Sequence, residues 1–161
     1  MKKDKILRQI RLVLLIFMIV LFLSGLTAMP VDIELSFLLR FISAETLVGN
    51  WLAKVLDAYS GVKNTHPFLL YGYDWLAFAH FVLAILFIGP LRDPERNIWV
   101  IEFGMIACVL IFPLAFIAGP LRGIPIGWQL IDCSFGVFGL IPLWICHRKV
   151  KQLTAQINKS H

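Results

Sequence analysis

The stretch IWVIEFGMIACVLIFPLAFIA, from Ile98 to Ala118, decides the fold of this chain. Glu102 is its single charged residue, and its length matches the roughly 20 apolar residues that an α-helix needs to cross the hydrocarbon core of a bilayer. The bilayer core holds no water to pair with an exposed backbone, whereas a helix pairs its own backbone groups. The stretch therefore predicts a transmembrane helix.

Three further stretches of the same kind lie on either side of this one. They run from Leu12 to Met29, from Phe68 to Ile88 and from Trp128 to Cys146. With 59% hydrophobic and 16% charged residues, the chain is too apolar for an ordinary soluble domain. We predict an all-α fold: one transmembrane domain, residues 1–161, forming an integral membrane four-helix bundle. The predicted helices span about 7–29, 68–90, 98–119 and 128–147.

Basic residues indicate how the helices are oriented. Eleven of the 15 Lys and Arg residues precede the first helix, separate the second from the third, or follow the fourth. The positive-inside rule therefore places both termini in the cytoplasm, and the segment 30–67 and the loop around Arg122 outside. We expect the first stretch to be an uncleaved anchor, because it is longer than the apolar core of a typical signal peptide. The net charge of +5 follows the membrane segments, so it predicts no nucleic-acid partner.

The first outer loop, residues 30–67, has two apolar stripes at helical spacing. The stripes are Leu35, Leu38, Leu39 and Ile42, then Leu47, Trp51, Val55 and Ala58. They predict two amphipathic helices resting on the membrane surface. We expect Ser43 to cap the second of these helices and Ser60-Gly61 to end it. The loop forms either a lid over the outer mouth of the bundle or a passive connector, and the pattern does not separate the two.

Ionisable side chains within or beside the spans need an explanation, because charge inside the hydrocarbon is costly and normally faces other helices or a wet cavity. The candidate members of an outward-facing polar pocket are Asp74, His80, Arg122 and Asp132, with Tyr71, Tyr73 and Gln129 as neighbours. Arg122 is the expected counterion of Asp132. The alternative is that each Asp snorkels or stabilises a helix end, and that His80 hydrogen-bonds between helices. Glu102 is interpreted as structural, paired with Arg92 or Arg96.

Small residues predict where the helices pack most closely. Asp132, Gly136, Gly139 and Leu143 form one stripe on the fourth helix, and Gly104, Cys108, Ala115 and Ala118 form one on the third. These two helices should therefore make the tightest contact of the bundle. The sequence Gly-Pro-Leu-Arg occurs after both the second and the third helix, at 89–92 and at 119–122. Either an inverted duplication or shared turn chemistry would produce this repeat.

Cysteine and histidine spacing predicts no cofactor and no metal site. Cys108, Cys133 and Cys146 lack the spacing of a metal or dithiol motif, and their number is odd. We interpret them as small residues of the helix interior. His80 remains the one histidine at mid-span, so a haem- or quinone-associated subunit is the weakest of the functional interpretations.

A family resemblance rests on residues in the first, second and fourth helices and in the loop before the fourth. They are Ser24, Pro30, Asp74, His80, Phe81, Arg122, Asp132, Gly136 and Gly139. In this arrangement the chain resembles the VanZ-like family of small integral membrane proteins, which carry an Asp-Lys-x-x-His-Phe segment and a later Arg, Asp, Asn, Gly pattern. Here the Asp-to-His spacing is longer and Trp75 replaces the Lys. The resemblance implies an envelope role connected with cell-wall or lipid-linked glycan components.

Three classes of function follow from the sequence. The first is an envelope accessory or lipid- or glycolipid-binding protein of the cytoplasmic membrane, with membrane lipids, a lipid-linked substrate or another membrane protein as partner. The second is an enzyme on a lipid-linked substrate, with Asp74 or Asp132 as base, His80 as acid–base partner and Arg122 on a phosphate. The third is the haem or quinone subunit. The sequence names no catalytic residue that decides between them.

Overall fold

The protein is described by a computed structural model that covers residues 2–158. Helices fill most of this range and none of it forms a strand, so the all-α prediction is confirmed. The helices are α1 (Lys2–Thr27), α2 (Val31–Leu38), α3 (Leu47–Thr65), α4 (Tyr71–Leu86), α5 (Ile88–Arg92), α6 (Ile98–Leu121) and α7 (Ile126–Asn158). A 3₁₀ turn, Pro67–Leu70, leads into α4.

Four segments are long and apolar enough to cross a bilayer, which confirms a multi-pass membrane protein. They are Lys3–Thr27, Pro67–Arg92, Ile98–Leu121 and Ile126–Ala155. The predicted end of the fourth helix at 147 is wrong, because α7 continues to Asn158. Charged residues after Cys146 mark where a helix leaves the hydrocarbon, but Lys and Arg are good helix formers and do not end it. The same reasoning explains why α1 begins at Lys2, before the predicted start at 7.

The chain divides into two compact units. Unit 1 consists of Met1–Ile19 and Ile85–His161, and unit 2 is Val20–Ala84. Unit 1 contains the α6–α7 hairpin and the first part of α1, whereas unit 2 contains the loop helices α2 and α3.

In unit 1, α6 and α7 make the most extensive helix contact of the described chain, as the small-residue stripes predict. A Cβ added to Gly136 would lie 2.7 Å from the carbonyl oxygen of Cys108, and one added to Gly139 would lie 2.8 Å from the Cys108 Sγ. The backbones approach this closely only because both positions lack a side chain. Pro113 and Pro142 lie inside α6 and α7.

Each Gly-Pro-Leu-Arg sequence ends a helix, and each of these turns is closed by an amide side chain. Asn97 Nδ2 donates to the carbonyl oxygens of Gly89, at 3.2 Å, and Asp93, at 2.9 Å. Gln129 Nε2 donates to the carbonyl oxygen of Ile124 at 2.8 Å. The turn after α6 also contains Gly123 at φ +68°, a left-handed conformation that favours glycine.

In unit 2, both predicted loop helices are present, but the ends and the buried face of the second differ from prediction. Thr46, not Ser43, caps α3: its side chain accepts a hydrogen bond from the Gly49 amide at 3.0 Å. The helix continues through Ser60-Gly61 to Thr65, because a single Gly only weakens a helix. The buried residues of α3 are Gly49, Leu52 and Tyr59, whereas Leu47 of the predicted stripe is 94% exposed.

Candidate functional site

The four predicted pocket residues are distributed over both units. Asp74 and His80 lie on α4 in unit 2, whereas Arg122 and Asp132 belong to unit 1. Their convergence on one pocket therefore stays a prediction.

His80 is half-buried and its ring is held by its own helix. Its Nδ1 lies 2.8 Å from the carbonyl oxygen of Leu76, and a carbonyl can only accept, so Nδ1 carries the proton. In the neutral ring, Nε2 is then the free acceptor. The backbone of Gly25 packs against the His80 Cβ, where an added Cβ would lie only 2.8 Å away. The hydrogen bond of His80 is thus made within α4, whereas one interpretation of the sequence placed it between helices.

Asp74 lies in the first turn of α4, where its negative charge favours the helix N-terminus. Its side chain is exposed, and within residues 2–158 it makes no hydrogen bond or ion pair. Asp74 does act on a neighbour through its charge, because its carboxylate contributes to raising the pKa of Tyr59 on α3. The candidate residue Asp74 is therefore electrostatically coupled to a loop helix.

Tyr59 lies at the centre of a polar group that joins three helices of unit 2. Its ring is 9% exposed and meets the ring of Tyr73 on α4 edge to face, with 5.6 Å between centroids. One turn further along α3, Lys63 Nζ lies 2.6 Å from Asp32 Oδ2 on α2. We call the set Asp32, Tyr59, Lys63, Tyr73 and Asp74 the tyrosine cluster.

The charges of the tyrosine cluster shift the pKa values of its members. The hydrogen bond from Lys63 holds the pKa of Asp32 below its usual value, and the same bond raises the pKa of Lys63. Burial raises the pKa of the Tyr59 hydroxyl, and the negative charge of Asp32 raises it further. At neutral pH the cluster therefore holds a carboxylate–ammonium pair beside a neutral phenol that can both donate and accept.

Sequence reasoning placed Tyr73 beside the candidate site and Asp74 within it, but it missed Asp32, Tyr59 and Lys63. The available signal was the spacing of Tyr59 and Lys63, four residues apart and so on one face of an amphipathic helix. That spacing does not say which neighbouring helix the face meets. Tyr71, the other predicted neighbour, is exposed and packs its ring against Trp75 instead.

In unit 1, the expected ion pair between Arg122 and Asp132 is absent from the described residues. Arg122 is exposed and forms the C-cap of α6, while Asp132 is half-buried on α7. Gln129 lies between them in sequence and is only 4% exposed. Its side chain packs against Gly119 and bonds to Ile124, and its Oε1 is buried with no partner within residues 2–158. The loop is closed by this amide and not by a charge pair.

Glu102 has a different partner from the one predicted. His147 Nε2 lies 2.9 Å from Glu102 Oε1, whereas Arg96 pairs with Asp93 and the carbonyl oxygen of Arg92 accepts a hydrogen bond from Arg11. The structural interpretation of Glu102 holds, because the pair joins α6 to α7. The reason for the different partner is that α6 and α7 pack together, which brings His147 of α7 beside Glu102 of α6.

The described residues contain no group of three His, Cys, Asp or Glu side chains arranged to hold a metal ion. Comparisons with protein-family models, with curated proteins and with solved structures find no match to this chain. The resemblance to the VanZ-like family therefore stays a prediction that rests on the residues quoted for it.

Proposed function

We propose that this multi-pass membrane protein binds the head group of a lipid or glycolipid at the tyrosine cluster, as an accessory protein of the cell envelope. The observation that carries the proposal is the surroundings of Tyr59. Its ring is 9% exposed and packs against Tyr73, while its hydroxyl makes no hydrogen bond to the described residues and is not enclosed by them. The fold therefore fixes the position of the phenol, and its hydroxyl is available to a polar group from outside the chain.

The chemistry of the tyrosine cluster suits a polyhydroxy or phosphorylated head group. Carboxylates accept hydrogen bonds from hydroxyls, the phenols of Tyr59 and Tyr73 both donate and accept, and an ammonium attracts phosphate. Tyr73 and Asp74 lie near the start of the second candidate span, which begins at Pro67. Aromatic residues at such a level mark the membrane–water interface, where lipid head groups lie.

Binding is favoured over acid–base catalysis by the arrangement of the α4 residues. An acid–base pair needs the two groups within hydrogen-bond reach of one reacting site. Within residues 2–158, no hydrogen bond joins Asp74 to His80, and the Nδ1 proton of His80 is already committed to Leu76. No observation on the described residues favours the haem or quinone interpretation.

The proposal is tested by lipid retention after purification. The protein is reconstituted in nanodiscs of phosphatidylcholine doped with a minor fraction of either a diacylglycerol glucoside or phosphatidylglycerol, extracted gently, and measured by native mass spectrometry. Tyr59→Phe should weaken retention of the favoured lipid about fivefold, the effect of losing one hydrogen bond between neutral groups. Tyr71→Phe is the matched control, because Tyr71 is exposed outside the cluster.

Equal retention of both lipids by the wild type, or equal loss in Tyr59→Phe and Tyr71→Phe, would contradict head-group binding at the cluster. Chemical conversion of the added lipid during incubation, seen as a change in its mass, would instead favour the enzyme interpretation.

A further inference from the structure

An open apolar groove runs along the α6–α7 hairpin of unit 1, apart from the tyrosine cluster. It has a volume of 570 Å³ and is lined by α6 residues between Met105 and Leu110 and by Leu140, Ile141 and Trp144 of α7. Most of these side chains are exposed in the isolated chain. In a bilayer, such a groove is filled by hydrocarbon or by another protein surface.

One end of the groove is positively charged. Trp144 lines the groove, and the guanidinium carbon of Arg148 lies 3.8 Å from the centre of its ring. Arg148 makes no ion pair within residues 2–158, so its charge is open to an anion. Glu102 Oε1 lies 2.9 Å from His147 Nε2, so this carboxylate pairs with His147 and not with Arg148.

We infer that this groove binds an anionic phospholipid, with one acyl chain between α6 and α7 and the phosphate on Arg148. The distance along α6 from Glu102 to Leu110 is about 12 Å by helix rise, close to the roughly 15 Å that one leaflet contributes to the hydrocarbon core. An arginine stacked on an aromatic ring keeps its N–H edges free for a phosphate. The charge of Arg148 thus suits the head group of an anionic phospholipid, and the length of the groove suits an acyl chain of one leaflet.

The position of Trp144 supplies a direct test, because bromine atoms on an acyl chain quench tryptophan fluorescence only at close range. The full chain is reconstituted in nanodiscs of phosphatidylcholine and phosphatidylglycerol in which only one of the two lipids carries brominated chains. The Trp144 contribution is the difference between the wild type and Trp144→Phe. Brominated phosphatidylglycerol should associate with Trp144 about fivefold more than brominated phosphatidylcholine, the ratio expected for one basic residue at an anionic head group.

Arg148→Gln should remove this preference, and Arg148→Lys should keep part of it. Lys151→Gln is the matched control, because it removes one positive charge from an exposed position of the same helix. Equal quenching by the two lipids would overturn the inference, and so would a preference that persists in Arg148→Gln. Absence of quenching by either lipid, as a second copy or a partner helix in the groove would produce, would also overturn it.

Discussion

At the scale of single residues, unit 2 places an ion pair beside a buried tyrosine. Lys63 and Asp32 join α3 to α2, and Tyr59, one turn from Lys63, meets Tyr73 of α4. Exposed ion pairs contribute little to stability on their own. Here the pair joins the short helix α2 to α3 beside the proposed binding residues, so we expect its effect to be local.

The first prediction at this scale is that Lys63→Met loosens α2. The variant removes the partner of Asp32, so hydrogen–deuterium exchange of residues 31–38 should become faster, while exchange of α6 stays unchanged. Lys54→Met is the matched control: Lys54 is on the same helix and lies over the ring of Trp51, away from Asp32. Equal exchange in α2 for the wild type and Lys63→Met would show that the pair does not hold the helix.

The same pair should depend on pH in a defined direction. The pKa of Asp32 is lowered in the fold, so its contribution is present above the unfolded value of about 3.9 and is lost as pH falls through the folded value. The pKa of Lys63 is raised, so its contribution is present below about 10.4 and is lost as pH rises through the folded value. Protection of the α2 amides, taken relative to their intrinsic exchange rate at each pH, should therefore be greatest between these limits in the wild type, and Lys63→Met should remove both dependences.

At the scale of the elements, the α6–α7 hairpin depends on glycines that admit no side chain. Gly136 and Gly139 both contact Cys108, the first through a backbone oxygen that has little freedom to move. Gly104 has a similar role against Phe87 and Leu143, whose side chains can shift. The hairpin is therefore least tolerant of change at Gly136.

We predict that Gly136→Ala lowers the free energy of unfolding of the purified protein in detergent by about 1 to 3 kcal/mol, the usual range for overpacking. Its thermal midpoint should fall accordingly. Gly127→Ala is the matched control, because a Cβ there meets nothing within 4 Å. The control should be neutral or stabilising, since Ala is the better helix former. The measurement is thermal unfolding followed by circular dichroism, and equal midpoints for the two variants would place Gly136 away from the close contact.

At the scale of the whole molecule, orientation in the membrane is a prediction from charge. Four apolar helices establish a multi-pass protein, while the bias of basic residues indicates which ends face the cytoplasm. Asp32, Tyr59 and Lys63 of the tyrosine cluster lie in the segment that this rule places outside, and Tyr73 and Asp74 lie near the adjoining end of the second span. Its proposed role in the envelope therefore depends on the orientation.

The expected topology has both termini in the cytoplasm and the α2–α3 segment outside. Alkaline phosphatase fused at Asn64 should be active, because that enzyme folds in an oxidising compartment, and green fluorescent protein fused after Arg148 should be fluorescent. Alkaline phosphatase fused after Arg148 serves as the inverse control. A cytoplasmic signal from Asn64 would place the tyrosine cluster on the inner side and remove its access to outer envelope lipids.

Hydropathy and charge along the chain were enough to predict the fold class, the four spans and the two loop helices. Each of these depends on a one-dimensional property, namely the length of an apolar run or the period of a stripe. The close contact of α6 and α7 was also predictable, because glycines such as Gly136 mark it in the sequence. Helix ends were predicted less well, since the onset of charge at His147 marks the membrane surface and not the end of α7.

Side-chain partners were decided by packing, because a contact depends on how each helix is rotated and which neighbour it meets. Glu102 pairs with His147, 45 residues away, although two arginines are closer in sequence. Lys63 pairs with Asp32 across 31 residues and brings Tyr59 into a polar cluster that no motif indicates. Such pairs form where two helical faces meet, and the rotation that joins the faces is set by the close packing of many side chains at once.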